Sequence, residues 1–128
     1  WPAVLLDAPC TATGTLRRHP DVAWTKRPAE RDSLVGQQEK LLEAASALVL
    51  PGGCLIYCVC SLEPEEGDAQ IARFLERHDA WRREPVDPAE LDGAAAFINE
   101  RGEVRTLPCH GEAFGGMDGF FAVRLRRV

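Results

Sequence analysis

The stretch LLDAPCTATG, residues 5–14, decides the fold because it is typical of a buried strand that runs into a tight turn. The apolar run AVLLD over 3–7 is short, and polar and turn-forming residues follow it at once. Asp7 and Cys10 therefore stand just after a predicted strand end. The stretch raises the question of why a carboxylate and a thiol lie so close together at that position.

Beyond this stretch, helix-like and strand-like patterns alternate along the chain. An irregular loop is predicted over 11–32, and a helix with Ser33 as its N-cap follows as far as the turn Pro51-Gly52-Gly53. CLIYCVC, residues 54–60, is predicted to be a second buried strand. The later predicted elements are a helix within 61–78 with Pro64 in its first turn, strands in 80–86 and 97–107, and a last strand in 120–128.

The predicted helices take their packing faces from apolar residues at helical spacing. In the first helix these residues are Leu34, Leu41, Leu42, Ala45, Leu48 and Val49, and in the second they are Ala69, Ile71, Ala72, Phe74 and Leu75. The acidic residues of 63–68 are predicted to cap the second helix. Trp24 and Trp81 are predicted to be packing residues, with stacking on a base as the alternative for Trp24.

The order of these elements predicts an α/β fold. A right-handed crossover makes the first two strands parallel, so that their carboxyl ends open on the same edge of the sheet. Sheets of this kind bind ligands at that edge. Cys10 follows one strand end and Cys60 follows the next, so we expect the two thiols to be neighbours in space.

The five cysteines are predicted to be free thiols in a reducing cytosol. Cys54, Cys58 and Cys60 share one face of a strand, with Cys58 and Cys60 roughly 6.6 Å apart. Side chains that point in parallel in this way suit neither a disulfide nor a compact metal site. We therefore expect no metal. No apolar stretch is long enough to span a membrane, so we expect no membrane contact and a cytoplasmic location. Because the chain opens on Trp1, we expect it to be a piece of a longer protein.

The net charge of −5 is unevenly distributed. Residues 61–100 carry −7, whereas the segment 15–31 carries +3 and follows the opening stretch directly. Its candidate contacts to RNA phosphates are Arg17, Arg18, His19 and Lys26. The alternative is a solvated surface loop with an internal ion pair from Arg18 to Asp21.

Two thiols beside a carboxylate suit the chemistry of cytosine C5 methylation. A thiolate that adds to C6 of the base makes C5 nucleophilic, and a carboxyl group near N3 stabilises the proton gained there. Cys60 precedes a predicted helix, whose positive dipole end would favour the thiolate.

Four segments resemble one enzyme family. DAPCTATG (7–14) resembles the fourth motif of RNA cytosine-C5 methyltransferases, and YCVCSLEPEEGD (57–68) resembles their sixth. RRHPDVAW (17–24) and MDGFFAVRLRR (117–127) resemble further segments of the RsmB (Sun/Fmu) group, which acts on small-subunit ribosomal RNA. Val59 departs from the pattern, where the family usually has Thr, and so does Gly67, where Asn is common.

The resemblance implies a role for each matching residue. Cys60 matches the attacking cysteine, and Cys10 matches the cysteine that helps to release the product. Asp7 matches the carboxylate that contacts S-adenosylmethionine and the region of the target base, and Pro9 is placed beside the cofactor with it. The implied reaction is methylation of cytosine C5 in 16S ribosomal RNA through a covalent cysteine adduct.

The resemblance also implies that residues 1–128 form the carboxyl-terminal half of a Rossmann-like methyltransferase fold, from its fourth strand onward. The cofactor-binding first half is then absent, so we expect weak cofactor binding and no activity of this chain alone. We also expect self-association through the exposed edge strand 3–6, detectable by light scattering. Two alternatives remain open, namely a non-catalytic α/β interaction fragment and a thiol-redox or metal-binding module.

Overall fold

The computed structural model describes all 128 residues, and its strands and helices alternate as the sequence predicts. The strands are β1 (Ala3–Asp7), β2 (Cys54–Val59), β3 (Trp81–Arg83), β4 (Val104–Thr106) and β5 (Phe120–Arg127). The helices are α1 (Val22–Thr25), α2 (Pro28–Leu48) and α3 (Asp68–Arg77). Short 3-10 turns occupy Thr13–Thr15, Pro88–Leu91, Ala95–Phe97 and Glu112–Phe114.

The five strands form one mixed sheet in the order β1-β2-β5-β3, and β4 also pairs with β5. β1 and β2 are parallel, with Asp7 opposite Cys58, as the α/β pattern predicts. β5 is antiparallel to β2, β3 and β4. The carboxyl ends of β1 and β2 therefore lie side by side at one edge of the sheet.

The hydrophobic core lies between the sheet and the helices α2 and α3. Alternate residues of β2 and β5 point into it, and all of them are nearly or fully buried: Leu55, Tyr57, Val59, Phe121, Val123 and Leu125. The helices contribute Leu42, Ala45, Ile71 and Phe74, and Val49 joins the core directly after α2. Each large apolar side chain buried in this way contributes about 1.5–3 kcal/mol, so this core holds the two parallel strands in place.

Both helix starts differ from the prediction. α2 begins at Pro28 rather than after Ser33, because proline suits the first helical position and the Glu30 carboxylate accepts from the Arg27 backbone N–H. The predicted loop over 11–32 is therefore wrong in its last part, and it also contains α1. α3 begins at Asp68, so the residues before it form a turn and not the first turn of a helix.

Several predicted packing residues face solvent. Leu41 and Leu48 are 38% and 54% exposed, while Gln38 of the same helix is fully buried. Trp24 is 87% exposed, which contradicts its predicted packing role. Trp81 is buried as predicted, with its ring edge-on to Phe74 at 5.9 Å between centroids.

β1 forms an edge of the sheet, since β2 is its only partner. Leu5 is 67% exposed on this strand, and the neighbouring Trp1 is 72% exposed. The edge has the apolar character that the sequence suggests, and self-association through it stays a prediction. None of the helices is both long and apolar enough to cross a membrane.

Acid should weaken the fold through Glu103, a fully buried carboxylate next to β4. Burial by itself raises the pKa of Glu103, but hydrogen bonds from Asn99, Arg83 and Arg101 outweigh it and hold the pKa below its usual value. The stabilisation is complete above the ordinary carboxylate pKa and is lost as the pH falls through the lowered value. We expect Glu103→Gln to reduce the free energy of unfolding by about 2 kcal/mol at pH 7.

Urea denaturation at pH 7 and at pH 3 measures this effect. The difference between Glu103→Gln and the unmodified chain should shrink at the lower pH, because pH 3 lies below the ordinary glutamate pKa that holds in the unfolded chain. An equal difference at both pH values would contradict the assignment.

Candidate active site

Two thiols meet at the carboxyl ends of β1 and β2. Cys10 follows β1 and Cys60 follows β2, and their Sγ atoms lie 3.5 Å apart although fifty positions separate them in the sequence. Both side chains are half-buried and neither is in a disulfide. The parallel pairing therefore brings the two cysteines together as predicted.

The surroundings of Cys10 keep it protonated. Burial raises the pKa of the Cys10 thiol to about 12, and the nearby Cys60 and Glu66 add to this increase, against a backbone hydrogen bond at Ala12 that lowers it. At neutral pH Cys10 is therefore a neutral thiol next to Cys60. The expected help from a helix dipole at Cys60 is wrong, because α3 begins only at Asp68.

Asp7 lies at the same edge of the sheet, at the end of β1, and its side chain is exposed. One of its carboxylate oxygens, Oδ1, is 3.7 Å from Cys58 Sγ, and burial together with this carboxylate raises the pKa of Cys58 to about 11. Pro9 is also exposed, and its carbonyl accepts a hydrogen bond from Gln38. Asp7 and Pro9 therefore present a carboxylate and a ring to solvent at the end of β1 that leads to Cys10.

A buried glutamate beneath the thiols is the residue that sequence reasoning missed. Glu66 is predicted to cap a helix, yet it is fully buried and accepts four hydrogen bonds, from Thr11 (twice), Gln38 and Ser61. Three of these bonds come from the residues that directly follow Cys10 and Cys60. Only the Pro-Glu-Glu run before α3 marks the position in the sequence, and such a run is typical of a helix start.

The basic residues predicted to contact RNA fall into two groups. Arg17 donates to the carbonyl of Gly115, and Arg18 Nε donates to the Asp118 carboxylate at 2.8 Å. This hydrogen bond from Arg18 lowers the pKa of Asp118. Arg18 therefore pairs with Asp118 and not with Asp21. Both arginines connect the glycine-rich loop, residues 109–119, to the turn after Cys10. His19 is exposed next to them.

Lys26 lies in the second group, which lines a cavity of about 140 Å³. The cavity has no hydrophobic lining and is formed by Thr11, Thr13, Lys26, Arg27, Pro28, Arg31 and Glu63. Arg31 is paired with Asp32, Glu63 and Glu65, whereas the side chains of Lys26 and Arg27 have no acidic partner within 4.0 Å. The cavity therefore presents two uncommitted positive charges beside the residue that follows Cys10.

The remaining cysteines form no site of their own. Cys58 is buried and Cys54 is half-buried, while Cys109 is exposed. No group of three or more His, Cys, Asp or Glu side chains is arranged to hold a metal ion.

A parallel strand pair with helices over one face and thiols at both strand ends is typical of the Rossmann-like fold of S-adenosylmethionine-dependent methyltransferases. The family described as 16S rRNA methyltransferase RsmB/F matches residues 2–126. The chain belongs to this family, which confirms both the resemblance and the predicted fold class.

Known relatives agree with this membership. The chain is 41% identical over 124 residues to a probable ribosomal RNA small subunit methyltransferase B from Synechocystis, covering 97% of the chain and 27% of that protein. It is 39% identical to ribosomal RNA small subunit methyltransferase B from Thermus thermophilus, covering 98% of the chain and 29% of that protein.

A solved structure has the same fold. The crystal structure of NSun6 from Pyrococcus horikoshii with SFG superimposes with a TM-score of 0.71 at 28% identity, covering 97% of this chain and 29% of the other. The chain therefore spans less than a third of the length of each of these proteins.

Proposed function

We propose that a full-length protein containing this chain transfers a methyl group from S-adenosylmethionine to C5 of a cytosine in 16S ribosomal RNA. The observation that carries this proposal is the 3.5 Å separation of Cys10 Sγ and Cys60 Sγ at the end of the parallel strand pair. Membership in a family of 16S rRNA methyltransferases supports the substrate class. The proposed location is the cytoplasm.

In this mechanism Cys60 forms the covalent bond to the base and Cys10 helps to release the product. The Cys60 thiolate adds to C6 of the cytosine, which makes C5 a nucleophile for the incoming methyl group. A base then removes the proton from C5, and the bond between C6 and Cys60 Sγ breaks, which restores the aromatic ring and the thiolate. Cys10 assists this release, because its sulfur lies in contact with Cys60 and is protonated in the resting state.

The residues at the strand ends fit one side of a cofactor site. S-adenosylmethionine supplies an electrophilic methyl group when bound. Asp7 and Pro9 are exposed at the end of β1 that leads to Cys10, so the carboxylate is free to orient both a cationic cofactor and the base. We infer that residues 1–128 are the fourth strand onward of the catalytic domain, and that this chain alone binds the cofactor weakly and is inactive.

We propose that ribosomal RNA contacts the basic segment after Cys10. Lys26 is the best placed of the four predicted residues, because its ammonium group has no acidic partner in the cavity that it lines with Arg27. Arg17 and Arg18 already bind the glycine-rich loop, so they act on RNA through the shape of that loop as well as through charge. His19, the residue after Arg18, is exposed.

A methyl-transfer assay tests the proposed function. The full-length protein is incubated with a 16S rRNA transcript and cofactor carrying a deuterated methyl group, and the digested nucleosides are analysed by mass spectrometry. The expected product is 5-methylcytidine with the label. Label on another atom or on another base would contradict the proposal, and the 128-residue chain serves as the control expected to be inactive.

Thiol-redox activity is the second candidate, because the two sulfur atoms need to approach by only about 1.5 Å to form a disulfide. This candidate predicts that the unmodified chain catalyses disulfide exchange in a small peptide without RNA. Methyl transfer without such exchange decides against it.

A further inference from the structure

We propose that Glu66 is a positioning residue that holds the Cys10 and Cys60 loops together and so sets the separation of the two sulfur atoms. The use of this positioning in catalysis rests on the methyl transfer proposed for the full-length protein. The evidence for the positioning and its test need neither RNA nor cofactor, so the two proposals can fail separately.

The Glu66 carboxylate joins the two loops directly. Its Oε1 accepts from the Thr11 backbone N–H at 2.9 Å, and its Oε2 accepts from the Thr11 hydroxyl at 2.6 Å and from the Ser61 hydroxyl. Thr11 follows Cys10 and Ser61 follows Cys60, so the Glu66 side chain forms hydrogen bonds with the residue next to each thiol. Thr11, Ser61 and Glu66 are all at most 2% exposed.

Two further contacts fix the glutamate itself. The Tyr57 hydroxyl donates to the backbone carbonyl of Glu66 at 2.7 Å, which ties it to the core strand β2. Gln38 of α2 donates both to Glu66 Oε1 at 3.0 Å and to the carbonyl of Pro9 at 2.9 Å. The carboxylate is therefore bound by Thr11, Ser61 and Gln38. We expect a change in its shape or charge to move the segments that carry Cys10 and Cys60.

Four donors converge on the Glu66 carboxylate, two on each oxygen. A glutamine at the same position would keep an oxygen at the Oε1 position, but its NH₂ group at the Oε2 position would turn the Thr11 and Ser61 hydroxyls from donors to a carboxylate into acceptors from a neutral amide. Hydrogen bonds to a neutral amide are weaker than charge-assisted ones to a carboxylate, so the substitution weakens the connection between the two loops.

The charge of Glu66 also acts on the Cys10 thiol. After burial and Cys60, the negative charge of Glu66 contributes to the raised pKa of Cys10. The same carboxylate thus fixes where Cys10 lies and favours its protonated form. Removal of the charge is expected to lower the pKa of Cys10, so that its alkylation begins at a lower pH.

The test compares Glu66→Gln with Glu103→Gln in the 128-residue chain. Glu103 is an equally buried carboxylate with three donor side chains, but it binds Asn99, Arg83 and Arg101 and none of the residues beside the thiols. A merely structural role predicts that the two variants behave alike.

Two readouts report on position and on charge. The first is the equilibrium between the reduced thiols plus oxidised glutathione and the Cys10–Cys60 disulfide plus two reduced glutathione molecules, with the bridge identified by peptide mass spectrometry. This equilibrium gives the effective concentration of one thiol at the other. The second is the pH profile of Cys10 alkylation by iodoacetamide, with exposed Cys109 as an internal reference.

We expect Glu66→Gln to reduce the effective concentration about tenfold or more and to shift the Cys10 profile to lower pH, while Glu103→Gln changes neither. Ser61→Ala removes one donor and should reduce the effective concentration about threefold. Identical readouts for Glu66→Gln and Glu103→Gln would overturn the proposal. If Glu66→Gln does not fold, an unchanged effective concentration in Ser61→Ala overturns it instead.

Discussion

Cys60→Ser is expected to abolish the covalent complex with RNA and to reduce methyl transfer by at least about a thousandfold, because a neutral hydroxyl is a far weaker nucleophile than a thiolate. The variant should still fold, since serine has nearly the shape of cysteine and Cys60 is only half-buried. Its RNA binding should be unchanged, which separates the loss of chemistry from a loss of affinity.

The matched change at Cys10 should have the opposite effect on the complex. With Cys10→Ser in the full-length protein, Cys60 still adds to the base and methylation proceeds, but release of the product slows. The proximity of the two sulfur atoms at 3.5 Å is the physical reason. We therefore expect a protein–RNA adduct that survives denaturing electrophoresis and accumulates in this variant.

The control for both variants is Cys109→Ser. This thiol is exposed in the glycine-rich loop, and its replacement should leave both adduct and turnover unchanged. Adduct formation that persists in Cys60→Ser would show that the roles of the two cysteines are misassigned.

Gly14→Ala is expected to destabilise the fold by more than about 3 kcal/mol. A Cβ atom at this position would lie 1.9 Å from the carbonyl oxygen of Gly119 and 2.9 Å from that of Cys60. Gly14 N–H donates to the Cys60 carbonyl at 3.0 Å, and Gly119 N–H donates to the Gly14 carbonyl at 2.7 Å. Three backbone segments thus cross at Gly14 with no room for a side chain.

Gly36→Ala provides the matched control. Gly36 lies within α2, and an added Cβ would meet no atom within 4 Å. Alanine there should raise the free energy of unfolding by about 0.5–1 kcal/mol, because it restricts the unfolded chain and favours the helix. Urea denaturation followed by circular dichroism measures the free energy of unfolding of both variants. Equal midpoints for Gly14→Ala and the unmodified chain would contradict the close backbone crossing at Gly14.

The juxtaposition of Cys10 and Cys60 is predictable because it needs only two local patterns and one rule of topology. Apolar runs mark β1 and β2, and a crossover between them places both carboxyl ends at one edge. The contacts of Glu66 are not predictable in this way. Its partners Thr11 and Gln38 lie 55 and 28 residues away, and no periodic pattern links such distant polar groups.

The same network explains why the packing face of α2 is misjudged. Helical spacing alone favours Leu41 and Leu48, yet the buried position belongs to Gln38, whose amide satisfies Pro9 and Glu66. A polar side chain that forms hydrogen bonds with buried groups can thus occupy the buried helix position that the apolar pattern assigns to leucine. Trp24 also does not pack against the core, because it lies on the short helix α1 outside it.

The position of β5 bears on how the chain folds during its synthesis. Phe120–Arg127 pairs with β2, β3 and β4, and all three are translated earlier. A nascent chain therefore cannot close its sheet until these eight residues have left the exit tunnel. A premature stop codon shortly before Phe120 would leave three strands without their common neighbour, so such a product should be cleared by proteases rather than accumulate.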